Sequence, residues 1–374
     1  LNMTNYLMIY TGGIAVTRDS KGHIISLGSS EKLDRFALET GVSIESPIHV
    51  EIGCNTDENV LGLLKSNIAR IMNDVLSVTT DWKAMCSKVE STMASLKLKS
   101  IGVEPKEVDE TIAYLKWLLN DNFTFFGVRD YTINQIKGEK TLELVVGSGM
   151  GVLRDDANSK KMRYFHELSG DVQKMMLSNK HILVISKTNT LSTVHRSGYT
   201  DYIGVKRFDE NGNLIGERRF IGLYTSSAYD CAPESVPLLR KKVFAVLSKS
   251  GFPDCSHAGK DLMHILRTLP RDDLFQSSVF ELLNLSLGIL HMQERRQIRL
   301  FARRDVYGRF MSCLVFLPRE IFSSELIAKI QRILMAYFSG VGCSFTTHFS
   351  SSILAQIHFV IRLDRIHAID YDVN

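Results

Sequence analysis

The sequence predicts an α+β protein of antiparallel sheets and helical blocks, and three observations carry that expectation. Strand-like segments crowd between Asn122 and Thr225 with little helix among them. Apolar residues recur at spacings of three and four, the helical period, on either side of that region. From Ile298 the chain returns to strands around one further helix.

The elements follow in order. A β-rich start from Tyr6 to Ile52 leads to a long helix, with Asn55 as its N-cap and Glu58 three residues on. Val60, Leu64, Ile68, Ile71, Val75 and Val78 form its apolar stripe, and the helix continues through Trp82 and Met85 toward Leu96. "SIGVEPKE", Ser100 to Glu107, reads as a linker. Val108, Ile112, Leu115 and Leu119 mark a second, short helix.

"FTFFGVRDYTI", "TLELVVGSG", "HILVISKT", "DYIGVKRF" and "ERRFIGLYT" are then expected to pair as an antiparallel sheet of about five strands. Helices are expected over Val172 to Ser178, Val236 to Ser248, Asp261 to Leu269 and Leu274 to Arg296. "IRLFARRD" and "RFMSCLVFLPRE" are strands. A helix from Glu325 to Phe338 carries Leu326, Ile330, Ile333 and Tyr337 on one face, and "CSFTTHFS" and "ILAQIHFVIRL" are the last strands. The pattern D-x-x-G-x-apolar occurs at Asp19, Asp209 and Asp305, where Asp starts a turn and Gly supplies the positive φ that closes a hairpin. The second copy is not an EF-hand, because Leu214 and Phe220 stand where that loop needs glycine and glutamate.

Composition narrows the function. The 374 residues allow roughly two or three domains. Apolar residues make up 44% and charged residues 23%, as in soluble globular proteins. No apolar run approaches the ~20 residues of a membrane-spanning helix, and a net charge of +4 gives no case for nucleic acid. The opening residues show neither a basic leader nor a cleavage site, and the cysteine usage described below makes a cytoplasmic protein the expectation. Leu1 is not an initiator and the tail "DRIHAIDYDVN" shows no closure, so both ends are expected to lie inside a longer chain. The six cysteines include no CxxC and are expected to be reduced and mostly buried. The eleven histidines include no HExxH, and no metal site is expected.

Four stretches invite chemistry. "LELVVGSGMGVLRDD", Leu142 to Asp156, suggests a dinucleotide loop, but Val152 stands at the sixth position and "DDANSKK" follows where a helix should start. A bend at a strand end is the expected reading. In "DCSHAGKD", Cys255, Ser256 and His257 are adjacent, whereas catalytic pairs converge from distant segments; Ser256 is expected as a helix N-cap. Arg299 and Arg303 share one face of a strand in the cluster Arg295, Arg296, Arg299, Arg303 and Arg304, expected to be a solvated or interface face. The densest polar stretch is "NTLSTVHRSGYTDYIGVKRF". Its Ser192, Thr193, His195, Arg196, Tyr199 and Asp201 are the candidates for a small-molecule pocket, against a purely structural role in capping strands and bridging domains.

Longer phrases carry a resemblance. They are "DNFTFFGVRDY", "STVHRSGYTDYIGVKRFDENGNLIGERRFIGLYTSSAY", "SHAGKDLMHILRTLPRDDLFQ", "LFARRDVYGRFMSCLVFLPREIF" and "FTTHFSSSILAQIHFVIR". In this order the chain resembles, from about Tyr6 onward, the N-terminal segment of the large bacterial NAD-specific glutamate dehydrogenases. The resemblance implies a partial ACT-like domain over residues 1–98, a linker and short helix over 99–121, and a PAS-like β domain over 122–230. A helical block over 231–297 and a second, truncated ACT-like domain over 298–374 follow. Against the ACT order βαββαβ, the first unit lacks its opening strand and helix, and the second reads ββαββ.

The implied parent enzyme converts L-glutamate, NAD and water to 2-oxoglutarate, ammonia and NADH. No catalytic or NAD-binding motif of that family falls between Leu1 and Asn374, so both are expected outside this segment. The implied job here is subunit contact in a homo-oligomer and sensing of an amino-acid effector, with neither nucleic acid nor membrane as partner. A free-standing PAS/ACT sensor is the rival expectation.

Overall fold

The computed structural model describes residues 58–99, 102–136, 138–154, 162–165, 170–178, 181–196, 198–253, 255–292, 297–349 and 353–363, with five short strands between Met8 and Glu51. The chain divides into two units, Leu1–Arg70 and Ile71–Asn374. In the first, β1 (Met8–Tyr10) pairs with β5 (His49–Glu51), and β2 (Ala15–Arg18) lies between β3 (Ile24–Gly28) and β4 (Ile44–Glu45), all antiparallel. The Asn55 cap lies outside the described residues.

Helix α1 runs unbroken from Glu58 to Lys99. Of the stripe expected from Val60 to Val78, the C-terminal end is the part that packs. Leu64, Ile68, Ile71 and Val75 are half-buried, and the buried positions are Val78, Met85, Val89 and Leu96. Those four repeat at helical spacing along the turns that lie on the sheet of the second unit. Two polar clamps fix the same turns. Asp81 accepts from Arg154 (2.8 Å) and from the Gly151 amide (2.7 Å), and Arg218 reaches Thr92 Oγ1 (2.9 Å) while pairing with Asp130 (2.7 Å). The Arg154 guanidinium holds the Asp81 carboxyl below its usual range.

Helix α2 (Pro105–Trp117) starts on proline, which has no amide to leave unpaired at a helix start. The linker is therefore shorter than expected, ending at Glu104. A π turn over Leu118–Asn122 feeds β6 (Phe123–Ile136). Among the described residues the sheet holds seven strands rather than about five. Its order is β10-β11-β12-β6-β7-β9, with β8 beside β6, from β7 (Glu139–Leu144), β8 (Met150–Gly151), β9 (Met162–Tyr164), β10 (Leu183–Leu191), β11 (Tyr199–Phe208) and β12 (Leu214–Tyr224). Every pairing is antiparallel. Strands β8 and β9 escape a sequence reading because two or three residues carry no alternation. Helix α3 (Gly170–Leu177) lies between β9 and β10, and α4 (Ser226–Asp230) follows β12.

The β11–β12 turn is a D-x-x-G hairpin. Asp209 Oδ1 accepts from the amides of Asn211 and Asn213, and Gly212 has φ 80°. The Asp19 copy falls outside the described residues.

The helical block comprises α5 (Leu239–Ser250), α6 (His257–Thr268), α7 (Arg271–Gln276) and α8 (Val279–Leu290). Helix α5 begins three residues later than expected, because Leu238 sits at φ 70°. Helix α6 begins earlier, where Ser256 accepts from the Gly259 amide as expected. The single helix expected from Leu274 to Arg296 is two. Ser278 accepts from the Glu281 amide while Glu281 accepts from the Ser278 amide, a capping box that stops one helix and starts the next. One continuous core joins α1, α2, the large sheet and this block, with Tyr114, Phe126, Phe220, Tyr224 and Leu262 almost wholly buried.

The C-terminal domain has β13 (Arg299–Arg304), β14 (Phe310–Pro318), α9 (Ser324–Tyr337), β15 (Gly340–Phe349) and β16 (Leu354–Leu363) in sheet order β13-β14-β16-β15. The β13–β14 connection is the third D-x-x-G hairpin, with Gly308 at φ 64° and Asp305 accepting from the amides of Tyr307 and Phe310. One face, with Cys313, Val315, Ile357, Phe359 and Ile361, packs on Ile327 and Leu334 of α9. Of the residues expected together on one face of that helix, Ile333 and Tyr337 are exposed, because a neighbouring stripe of the helix meets the sheet. The other face carries Leu314 and Phe316, which join the large core, and the polar Ser312, Gln356 and His358. Among the described residues five cysteines are free: Cys313 is buried, Cys86, Cys231 and Cys343 are half-buried, and Cys255 is exposed, so burial among them is less general than expected.

Candidate functional site

The polar face of the C-terminal sheet faces a cleft of about 1060 Å³. Its floor is β15 and β16, through Ser344, Thr346, His348, Gln356 and His358. One wall is the α6–α7 turn, Arg267 to Asp272; the other is the β10–β11 loop at His195, Arg196 and Tyr199, with Tyr229 of α4. This volume lies at the upper end of small-molecule pockets. His195 has φ 69°, a left-handed backbone that a non-glycine residue adopts only where its surroundings enforce it.

Two adjacent carboxylates organise the ground beneath the cleft. Asp272 turns to the large sheet: Lys187 Nζ lies 3.0 Å from its Oδ2 and 2.7 Å from Asp201 Oδ1. Burial alone would push the Lys187 ammonium toward neutrality, but the two aspartates override it and hold its pKa above the usual lysine value. Burial pushes Asp201 up to about 6 against the pull of Lys187, and Asp272 adds to the rise. Asp273 turns to the C-terminal domain. Its Oδ1 accepts from Arg303 Nη2 at 2.7 Å and its Oδ2 from Ser312 at 2.8 Å, with His358 Nε2 3.5 Å away. Burial would raise Asp273, but Arg303 and His358 hold it below the normal carboxylate range. One turn of helix thus ties two sheets together through charges of opposite allegiance.

The six residues singled out in the sequence fall in three places. His195, Arg196 and Tyr199 line the cleft. Ser192 and Thr193 face away from it: Ser192 Oγ donates to the Val194 carbonyl, and Thr193 Oγ1 donates to Asp74 of α1 at 2.7 Å. Asp201 is buried on Lys187. Sequence reasoning missed Lys187, Arg267, Arg271 and Asp272. The only local signal was the run "LPRDDLF", whose paired acids read as ordinary helix-start charges.

Two other stretches are now placed. Gly151 has φ 60°, and a Cβ there would lie 2.1 Å from the Phe126 carbonyl, so this glycine lets β8 close on β6. Its amide is bound to Asp81, and the described residues 142–154 contain no helix. The stretch does not fit a dinucleotide pyrophosphate, which needs free amides at a helix N-terminus; "DDANSKK" itself lies outside the described residues. Arg303, expected on a solvated or interface face, is only 15% exposed in its side chain because α7 covers it. Arg295 and Arg296 are outside the described residues. Among the described residues no group of three or more His, Cys, Asp or Glu converges as metal ligands, and no helix is long and apolar enough to cross a membrane.

Comparison with known proteins gives this architecture its class. Residues 236–295 match the family model "Glutamate dehydrogenase, helical motif 1", and residues 299–374 match "Glutamate dehydrogenase, ACT2 domain". The ββαββ domain and the helices that carry the cleft's acidic turn are therefore glutamate dehydrogenase modules. At full length the chain is 34% identical over 368 residues, 98% of its length, to the NAD-specific glutamate dehydrogenase of Halomonas elongata. It is 34% identical over 382 residues to that of Pseudomonas aeruginosa and 26% identical over 364 residues to that of Mycobacterium tuberculosis. The chain covers 22%, 23% and 21% of those proteins, about a fifth of their length. It is a segment belonging to the large NAD-specific glutamate dehydrogenases.

Proposed function

We propose that this segment serves assembly and regulation in a cytoplasmic homo-oligomeric enzyme that oxidises L-glutamate with NAD and water to 2-oxoglutarate, ammonia and NADH. The catalytic residues and the NAD loop lie elsewhere in the parent chain, and the ACT-like and PAS-like modules contact other subunits and respond to an amino-acid effector. The carrying observation is full-length similarity to about a fifth of three NAD-specific glutamate dehydrogenases, in a stretch whose glycine-rich loop is used internally. A role in subunit contact is supported by β15. It is an edge among the described strands, and Val341, Phe345 and Phe349 along it are about half exposed. Such an edge invites pairing with another chain.

The test is an assay of the isolated chain for glutamate-dependent NAD reduction, with titration by a panel of amino acids and measurement of mass in solution. No turnover is expected, together with a change in heat or mass with at least one amino acid. Clear turnover would overturn the non-catalytic reading. A flat response across the panel would overturn the effector reading.

A further inference from the structure

We infer that the cleft between the β10–β11 loop, the α6–α7 turn and the polar sheet face binds a small oxyanion, a carboxylate or a phosphate, on Arg271 and Arg196. The inference concerns this chain alone and does not depend on the activity of the parent enzyme. Four cations line the cleft: Lys187, Arg196, Arg267 and Arg271. Lys187 is neutralised by Asp201 and Asp272, and Arg267 is paired with Glu234. Among the described residues, Arg196 and Arg271 meet only backbone carbonyls in hydrogen bonds. Arg196 donates to the Tyr224 carbonyl at 3.0 Å, and Arg271 Nη2 donates to those of Tyr229 (3.0 Å) and Cys231.

Arg271 is 5% exposed, and among the described residues its Nε and Nη1 have no hydrogen-bond acceptor. A buried donor left without an acceptor is costly, and a buried guanidinium without a counter-charge more so. Glu234 is the carboxylate whose charge acts on Arg271, but its Oε1 is engaged by Arg267. An oxyanion in the cleft, which Arg271 lines, supplies the missing counter-charge, and Arg is the side chain suited to it. The floor of the cleft along β15 adds neutral donors rather than acids, with Ser344 and Thr346 exposed there.

The test is isothermal titration of the full chain with sodium phosphate and, separately, with succinate, at fixed ionic strength. Saturable binding of one or both is expected, and the arm that saturates identifies the oxyanion. Arg271→Gln should weaken it about tenfold or more, the scale of one lost charged contact. Because Arg271 also holds two backbone carbonyls, a second variant guards against a folding defect. Thr346→Glu places a negative charge on the exposed floor; it should weaken binding about tenfold while leaving the melting temperature unchanged. No saturable heat with either anion, or binding that survives both variants, would overturn the inference. Either result leaves the glutamate-dependent assay of the proposed function untouched, so the two can fail separately.

Discussion

The Asp273–Arg303 pair is the contact on which the join between helical block and ACT2 domain should depend most. Asp273→Asn keeps the shape and removes the charge. In the wild type the two side chains are 6% and 15% exposed, Arg303 Nη2 and Nε lie 2.7 and 3.3 Å from Oδ1, and Ser312 adds a bond to Oδ2. At an effective dielectric of ~20, charges about 3 Å apart attract by about 5 kcal/mol, part of which offsets desolvation. Removing one partner leaves Arg303 buried, with Gln276 Oε1 at 3.1 Å and its neighbour's carbonyl as remaining acceptors. Breaking such a pair costs about 3–5 kcal/mol, and the remaining acceptors place this one at the lower end.

Trp117 is placed to report it, since its ring lies 6.2 Å from those of Phe275 in α7 and Tyr224. In a Trp82→Phe background, which removes an indole 53% exposed, urea unfolding followed by Trp117 fluorescence should lose about 3 kcal/mol. Arg303→Met in the same background completes a double-mutant cycle, with an expected coupling of roughly 2 kcal/mol or more. A cost below ~1 kcal/mol for Asp273→Asn, or strict additivity of the two changes, would refute the tether.

Further outcomes are expected. Asp201 has its folded pKa raised from 3.8 to about 6, so its contribution is fully present below pH ~4 and is lost as pH rises through ~6, by about 3 kcal/mol in all. The wild type should therefore lose stability relative to Asp201→Asn across that window, measured by denaturation at several pH values; a flat difference would count against the assignment. Gly151→Ala should destabilise by roughly 1–3 kcal/mol or more, since φ is 60° and the Cβ meets the Phe126 carbonyl, and a thermal melt within a degree of wild type would contradict it. Ser278→Ala removes half of a capping box and should cost about 1 kcal/mol. Hydrogen exchange at the first amides of α8 would show the loss, and unchanged protection would argue that packing alone stops α7.

The sequence by itself determined the α+β class, the major strands and their antiparallel pairing, and the two described D-x-x-G hairpins. All of these follow from local periodicity and from turn residues with a single conformational purpose, as Gly212 and Gly308 illustrate. Only tertiary structure decided which helical stripe packs, since Val78 to Leu96 and Val60 to Val78 are equally periodic and only the sheet beneath distinguishes them.

Tertiary structure likewise split one expected helix at Ser278 and sent Asp272 and Asp273, neighbours in sequence, to different sheets. It gathered His195, Arg196 and Tyr199 with Arg267 and Arg271 while turning Ser192 and Thr193 away. A site assembled from segments some 70 residues apart leaves no spacing to read. Whether a charge there is paired or free depends on partners that folding alone brings within reach.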